Sequence, residues 1–269
     1  MKTYLECIPC LVRQAAEASR VATRDIEKQR RTMRKVLIKL SKVSFDVPPA
    51  KNTYIVHEMV KRITKNNDPY RKVKERDNRK ALKLYPSLKE EVSKSRDKLL
   101  TATRLAIAGN VIDYGPSSRF DVEDALVSSQ RLAIDDFSIL RKKLDKARTV
   151  AYLSDNAGEI VFDKLLLEVL EKDITFFVKA KPILNDATMK DAKMVGIDKL
   201  ATVKAMNEPD QRVIRLLKES DVVISKGQGN YEYFSDLNIP IFFLLKAKCP
   251  VIAEHINAKV GDMILKFVK

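Results

Sequence analysis

The chain has 269 residues and 45% hydrophobic content, enough to bury a sizeable core as one large domain or two. No Trp, only His57 and His255, and three Cys exclude catalysis built on several histidines and argue against a disulfide framework. The net charge of +15, from 51 basic against 36 acidic residues, fits an anionic partner or the solvated Lys- and Glu-rich surface of thermophile proteins.

The opening stretch, Met1 to Cys7, lacks the apolar core of a signal peptide, and no apolar run is long enough to span a bilayer. A cytoplasmic location is therefore expected. Residues 1–147 read as helical, with amphipathic segments at 24–43, 54–65 and 88–107. Breaks are expected at Val47-Pro48-Pro49, Asn66-Asn67-Asp68-Pro69, Tyr85-Pro86-Ser87 and Tyr114-Gly115-Pro116-Ser117-Ser118. Cys7-Ile8-Pro9-Cys10 has the spacing of a zinc half-site or a redox pair, but no second such pair exists and Cys249 is the only other cysteine. Two buried thiols at a helix start are the simpler reading. In Gly109-Asn110-Val111-Ile112-Asp113, Asn110 and Asp113 are turn formers or the wall of a pocket. His57 and His255, each beside a Glu, read as surface or packing residues.

From Arg148 the texture changes. Short apolar runs at 150–153, 174–178, 222–224 and 241–245 alternate with helical patterns, the signature of βαβ units. The expected fold is a helical N-terminal region, 1–147, followed by an α/β domain, 148–269. That domain is expected to be a Rossmann-like three-layer α/β/α sandwich with a mainly parallel sheet. The sequence leaves open whether the two regions form one compact unit.

Chemistry gathers at the ends of these runs. After the first comes Ser154-Asp155-Asn156-Ala157-Gly158-Glu159, which either caps a helix or offers oxygen donors to a hard cation. After the second comes Leu184-Asn185-Asp186-Ala187-Thr188, where Asp186 is either an N-cap or a further cation ligand on the same rim. After the third, Lys226-Gly227-Gln228-Gly229-Asn230 permits a backbone nest for an anion, with Lys226 adding charge. It lacks the third glycine of a dinucleotide fingerprint and the Gly-Lys-Ser/Thr of a P-loop. The fourth run ends in Lys246, which either snorkels to solvent or meets a phosphate oxygen.

Taken together, these motifs resemble the damage-control phosphatase family, first catalogued as DUF89. The segments are Cys7–Cys10, Gly109–Asp113, Ser154–Asp163, Leu184–Thr188, Lys226–Glu232 and Leu245–Ala253, in that order. The N-terminal pair of cysteines resembles the compact archaeal and microbial branch. The resemblance implies a metal-dependent phosphomonoester hydrolase acting on small phosphorylated metabolites, sugar phosphates or damaged ones among them. It implies metal binding by Asp155, Asn156 and Asp186, with Asp155 and Lys246 in catalytic positions. It also places Asn110, Asp113, Gly227, Gln228, Gly229, Asn230 and Lys246 against substrate or phosphate. The cofactor implied is a divalent ion such as Mg, Mn, Co or Ni. No membrane partner is expected. The rival reading is a basic nucleic-acid-binding protein that uses the α/β half as scaffold.

Overall fold

The computed structural model describes residues 1–109, 131–206 and 208–269. Helices α1 (Cys7–Ala22), α2 (Ile26–Leu40) and α3 (Pro49–Thr64) pack around Leu11, Ala15, Val36, Leu40 and Val56. Local chemistry sets their starts. Asp25 accepts from the Lys28 N–H at 3.0 Å, and Pro49 opens α3, where its missing N–H leaves nothing unpaired.

Two expectations fail in the next stretch. The break at Tyr85-Pro86-Ser87 does not occur, because α4 (Arg71–Lys94) runs through Pro86. A proline removes one hydrogen bond to the preceding turn, but here packing holds both sides. Leu84 and Leu88 enter the main core, and the Tyr85 hydroxyl donates to Glu168. The segment 88–107, in turn, is not one helix. The chain leaves α4 at Ser95, and Asp97 caps α5 (Lys98–Ala108) by accepting from the Leu100 N–H at 3.0 Å.

The sheet contains β1 (Ile134–Asp135), β2 (Thr149–Leu153), β3 (Asp173–Lys179), β4 (Thr202–Met206), β5 (Val222–Lys226), β6 (Ile241–Lys246) and β7 (Met263–Val268). Its order is β1-β7-β6-β5-β2-β3-β4. Strands β2 to β6 are parallel, β7 is antiparallel to β6, and β1 runs parallel to β7. Among the described residues, the remaining α-helices are α6 (Phe137–Leu144), α7 (Glu159–Leu170), α8 (Met189–Val195), α9 (Gln211–Glu219), α10 (Gln228–Phe234) and α11 (Pro250–Ile256).

Side-chain alternation along each strand feeds two cores. Val150, Tyr152, Ile224 and Leu244 face α4, α5 and α7, while Ala151, Leu153, Val223 and Leu245 face α9, α10 and α11. The result is the α/β/α sandwich with a mainly parallel sheet. The first core runs unbroken from Leu88 and Leu105 of the helical region into β2 and α7. Strand β1 also joins the sheet although it precedes residue 148. Among the described residues, no helix is long and apolar enough to cross a membrane.

Candidate active site

From β2 the chain runs outward through β3 and β4, then returns to lay β5 on the other side of β2. The carboxyl ends of two strands at such a reversal open a crevice where ligands of parallel sheets bind. The turn after β2 and the turn after β5 both lie there.

Backbone bonds bring the turns after β2 and β3 together. The Ala157 N–H donates to Asn185 O and the Ala187 N–H to Asp155 O, each at 2.8 Å. Asn156 and Asp186 form an isolated antiparallel bridge between the two turns. Asp155, Asn156 and Asp186 therefore line one cavity of about 230 Å³. The capping alternatives do not hold. Helix α7 starts after Gly158 without a side-chain cap, and α8 is capped by Thr188 in a reciprocal box with Asp191. Gly158 (φ +79°) makes the turn possible, and its N–H donates to Asn78 Oδ1 at 2.7 Å. Asn78, fully buried on α4, also donates to Asp191 Oδ1 at 3.0 Å, so one amide ties α4 to the turn after β2 and to the first turn of α8.

Burial and neighbouring carboxylates together disfavour ionisation at this point. Burial, then Glu159 and Asp186, push the Asp155 carboxyl up to about 8. Burial above all pushes Asp186 up to about 6, against the pull of Lys179 and Lys74. The Asn156 amide nitrogen donates to Asp155 Oδ2 at 2.8 Å and Glu159 Oε2 at 3.2 Å, so its oxygen is the atom left to offer the cavity. Two hard carboxylates and an amide oxygen suit a magnesium- or manganese-like cation. Such an ion would favour the ionised form of both carboxyls against their burial. Among the described residues, no three or more His, Cys, Asp or Glu form a metal cluster, so the fit rests on this mixed set.

The remaining expected residues divide. Gln228 and Gly229 line the cavity. Gly227 sits against Asp155: a Cβ there would meet Asp155 Oδ2 at 2.0 Å, and its φ of +78° also favours glycine. Its N–H donates to Leu244 O at 3.1 Å, which removes it from any anion nest. Asn230 lies behind the wall, donating to Ser154 O and Lys226 O at 3.0 and 2.9 Å and so clamping the ends of β2 and β5. Lys246 ends β6, half-buried, and does not line the cavity. Lys226 adds no charge to the loop, being fully buried against Asp163, Glu159 and Ala106 O. Asn110, Asp113 and the break expected at 114–118 lie outside the described residues.

Sequence reasoning missed the two lysines that do line the cavity. Lys179 reaches Asn230 Oδ1 at 3.4 Å and Asp186 Oδ2 at 3.7 Å, and Lys248 follows β6. Lys179 ends an apolar strand, the same signal that marked Lys246. Gln14, Thr53 and Tyr54, from α1 and α3, line the cavity with no signal beyond helical periodicity. The three cysteines are free, and burial above all pushes the Cys7 thiol up, keeping it protonated.

Comparison with known proteins adds a family. Residues 3–264 match the model of the damage-control phosphatase ARMT1-like domain. An uncharacterized protein of Methanocaldococcus jannaschii is 36% identical, covering 98% of this chain and 95% of its own length. Damage-control phosphatases of Archaeoglobus fulgidus and Pyrococcus horikoshii are 36% and 32% identical. They cover 80% and 98% of this chain, and 81% and 97% of their own lengths. The crystal structure of a DUF89 family protein from Pyrococcus horikoshii superposes with a TM-score of 0.91 at 31% identity, covering 100% of both chains.

Proposed function

The chain belongs to the damage-control phosphatase ARMT1-like domain family, and on that premise we propose that it is a divalent-cation-dependent phosphatase of small phosphorylated metabolites. The observation that carries this reading is the convergence of Asp155, Asn156 and Asp186 on one cavity at the sheet's reversal point, with Lys179 and Lys248 on the same lining. Asp155, Asp186 and the Asn156 oxygen would hold the cation. When bound, it would act as a Lewis acid toward a phosphoryl oxygen and favour ionisation of the attacking water.

The chain's own groups do the rest. Lys179 and Lys248 balance charge on the phosphoryl oxygens, the help that phosphoryl transfer most needs. Helices α1 and α3 supply the wall formed by Gln14, Thr53 and Tyr54. Residues 1–109 hold 27 Lys and Arg against 12 Asp and Glu, the whole of the net +15, while residues 110–269 balance at 24 of each. The wall from α1 and α3 thus belongs to the positive part of the chain, which raises the local concentration of anionic substrates.

Given magnesium, manganese, cobalt or nickel, the protein is expected to release inorganic phosphate from phosphomonoesters and to leave carboxylic esters intact. Its kcat/KM is expected to fall as ionic strength rises. No phosphate release with any metal, alongside metal-independent and salt-sensitive binding of nucleic acid, would favour the rival binding protein instead.

A further inference from the structure

The wall contributed by the helical region carries a further inference, which rests on the phosphatase reading above. Gln14 is a polar group there whose carboxamide is held at both ends. Its Nε2 donates to Cys10 Sγ at 3.3 Å, one turn earlier on α1. Its Oε1 lies 3.4 Å from Nε2 of His57 on α3. An amide oxygen can only accept, so the imidazole carries its proton on Nε2. Burial, with a smaller contribution from the Lys61 charge, holds the ring pKa down at about 4, and His57 stays a neutral donor.

A carboxamide nitrogen has two hydrogens. One goes to Cys10, and the other is left for the cavity that Gln14 lines. Cys10 and His57 do not line the cavity themselves, and neither belongs to a metal cluster among the described residues. Arg13 Nη2 also approaches Cys10 Sγ, at 3.7 Å, so the sulfur serves as an acceptor. What these two residues share is the group they hold.

We propose that Gln14 is a substrate-positioning residue, with Cys10 and His57 aiming its free amide N–H at a hydroxyl or carbonyl oxygen on the organic part of the phosphate ester. The phosphate end is matched by Lys179 and Lys248 and by the carboxylate turns. A neutral donor from α1 is suited to a neutral oxygen elsewhere on the substrate. This assignment also gives the second cysteine of Cys7-Ile8-Pro9-Cys10 a function that needs neither zinc nor a disulfide.

The test is steady-state kinetics of wild type, Gln14→Ala, Cys10→Ala and Cys10→Ser. The two substrates are a hexose phosphate, rich in hydroxyls, and p-nitrophenyl phosphate, which has none, with thermal unfolding recorded for each variant. Gln14→Ala is expected to raise KM for the hexose phosphate about tenfold with kcat little changed, and to leave KM for p-nitrophenyl phosphate within about twofold. Cys10→Ala shifts the same KM in the same direction by less, and Cys10→Ser, which keeps an acceptor, recovers most of that loss. An equal KM change on both esters, or none on either, with wild type active, overturns the assignment while the phosphatase reading stands. If wild type turns over neither ester, the phosphatase reading falls and this assignment with it.

Discussion

Asp155→Ala is expected to lower turnover by at least about a thousandfold, the scale on which loss of a metal or transition-state charge contact is felt, while the fold survives. The turn keeps backbone bonds that do not involve that side chain. Its backbone is held by the Ala187 N–H on Asp155 O, the Ala157 N–H on Asn185 O, and Asn78 on Gly158.

The same carboxyl gives a second readout in metal-free protein. Folding raises it from 3.8 to about 8. Between those values the folded state binds more protons than the unfolded chain, so stability falls as pH rises through that window. Metal-free wild type is therefore expected to lose thermal stability from about pH 4 to about pH 8, and Asp155→Ala to flatten part of that slope. Thermal unfolding across this range, beside initial rates at one pH, checks both. A variant that keeps activity within about tenfold of wild type would remove Asp155 from the chemistry.

The largest effect on stability is expected at Lys226. Its Nζ lies 2.6 Å from Asp163 Oδ1, 2.6 Å from Glu159 Oε1 and 2.7 Å from Ala106 O, in a site closed to solvent. Burial alone would lower its pKa, but Asp163 and Glu159 hold it up at about 12. The Tyr152 hydroxyl donates to the same Asp163 oxygen at 2.8 Å, so one cation organises β2, β5 and α7 beneath the active-site turns. Removing it leaves two buried carboxylates without their counter-charge. Lys226→Met is expected to cost about 3–5 kcal/mol, the range for breaking a buried ion pair from one side. Chemical denaturation with an unchanged m-value measures it. A loss below about 1 kcal/mol would mean that the carboxylates relax to neutrality without harm.

The parts of this fold visible in the sequence are those where composition and position coincide. Strands β2, β3, β5 and β6 are apolar because helices cover both faces, so their runs stand out. The acid-amide pairs stand out because they follow such runs directly. Strand β4 does not. Thr202-Val203-Lys204-Ala205-Met206 is an edge strand whose residues are mostly half-buried or exposed, and it reads as loop or helix. The local rule for proline predicts a break at position 86, yet tertiary packing of α4 outweighs one lost hydrogen bond.

The lysines show a subtler limit. Lys179, Lys226 and Lys246 all end apolar strands, but alternation turns Lys226 and Lys246 onto the face occupied by α4, α5 and α7, and Lys179 onto the other. Lys248, after the strand, lines the cavity. Which way a strand-terminal side chain points depends on register, which composition does not encode. The helical wall is harder still to foresee, since Gln14 and Tyr54 meet the α/β turns only through packing of helices remote in sequence.

The most direct measurement is phosphate release by chelator-stripped protein, before and after one divalent cation is restored, with Asp155→Ala alongside. The expected result is turnover that vanishes on stripping, returns with the cation in wild type, and does not return in Asp155→Ala, while circular dichroism stays unchanged throughout. Turnover that persists in stripped protein, or returns equally in the variant, would contradict a cation held by Asp155, Asn156 and Asp186.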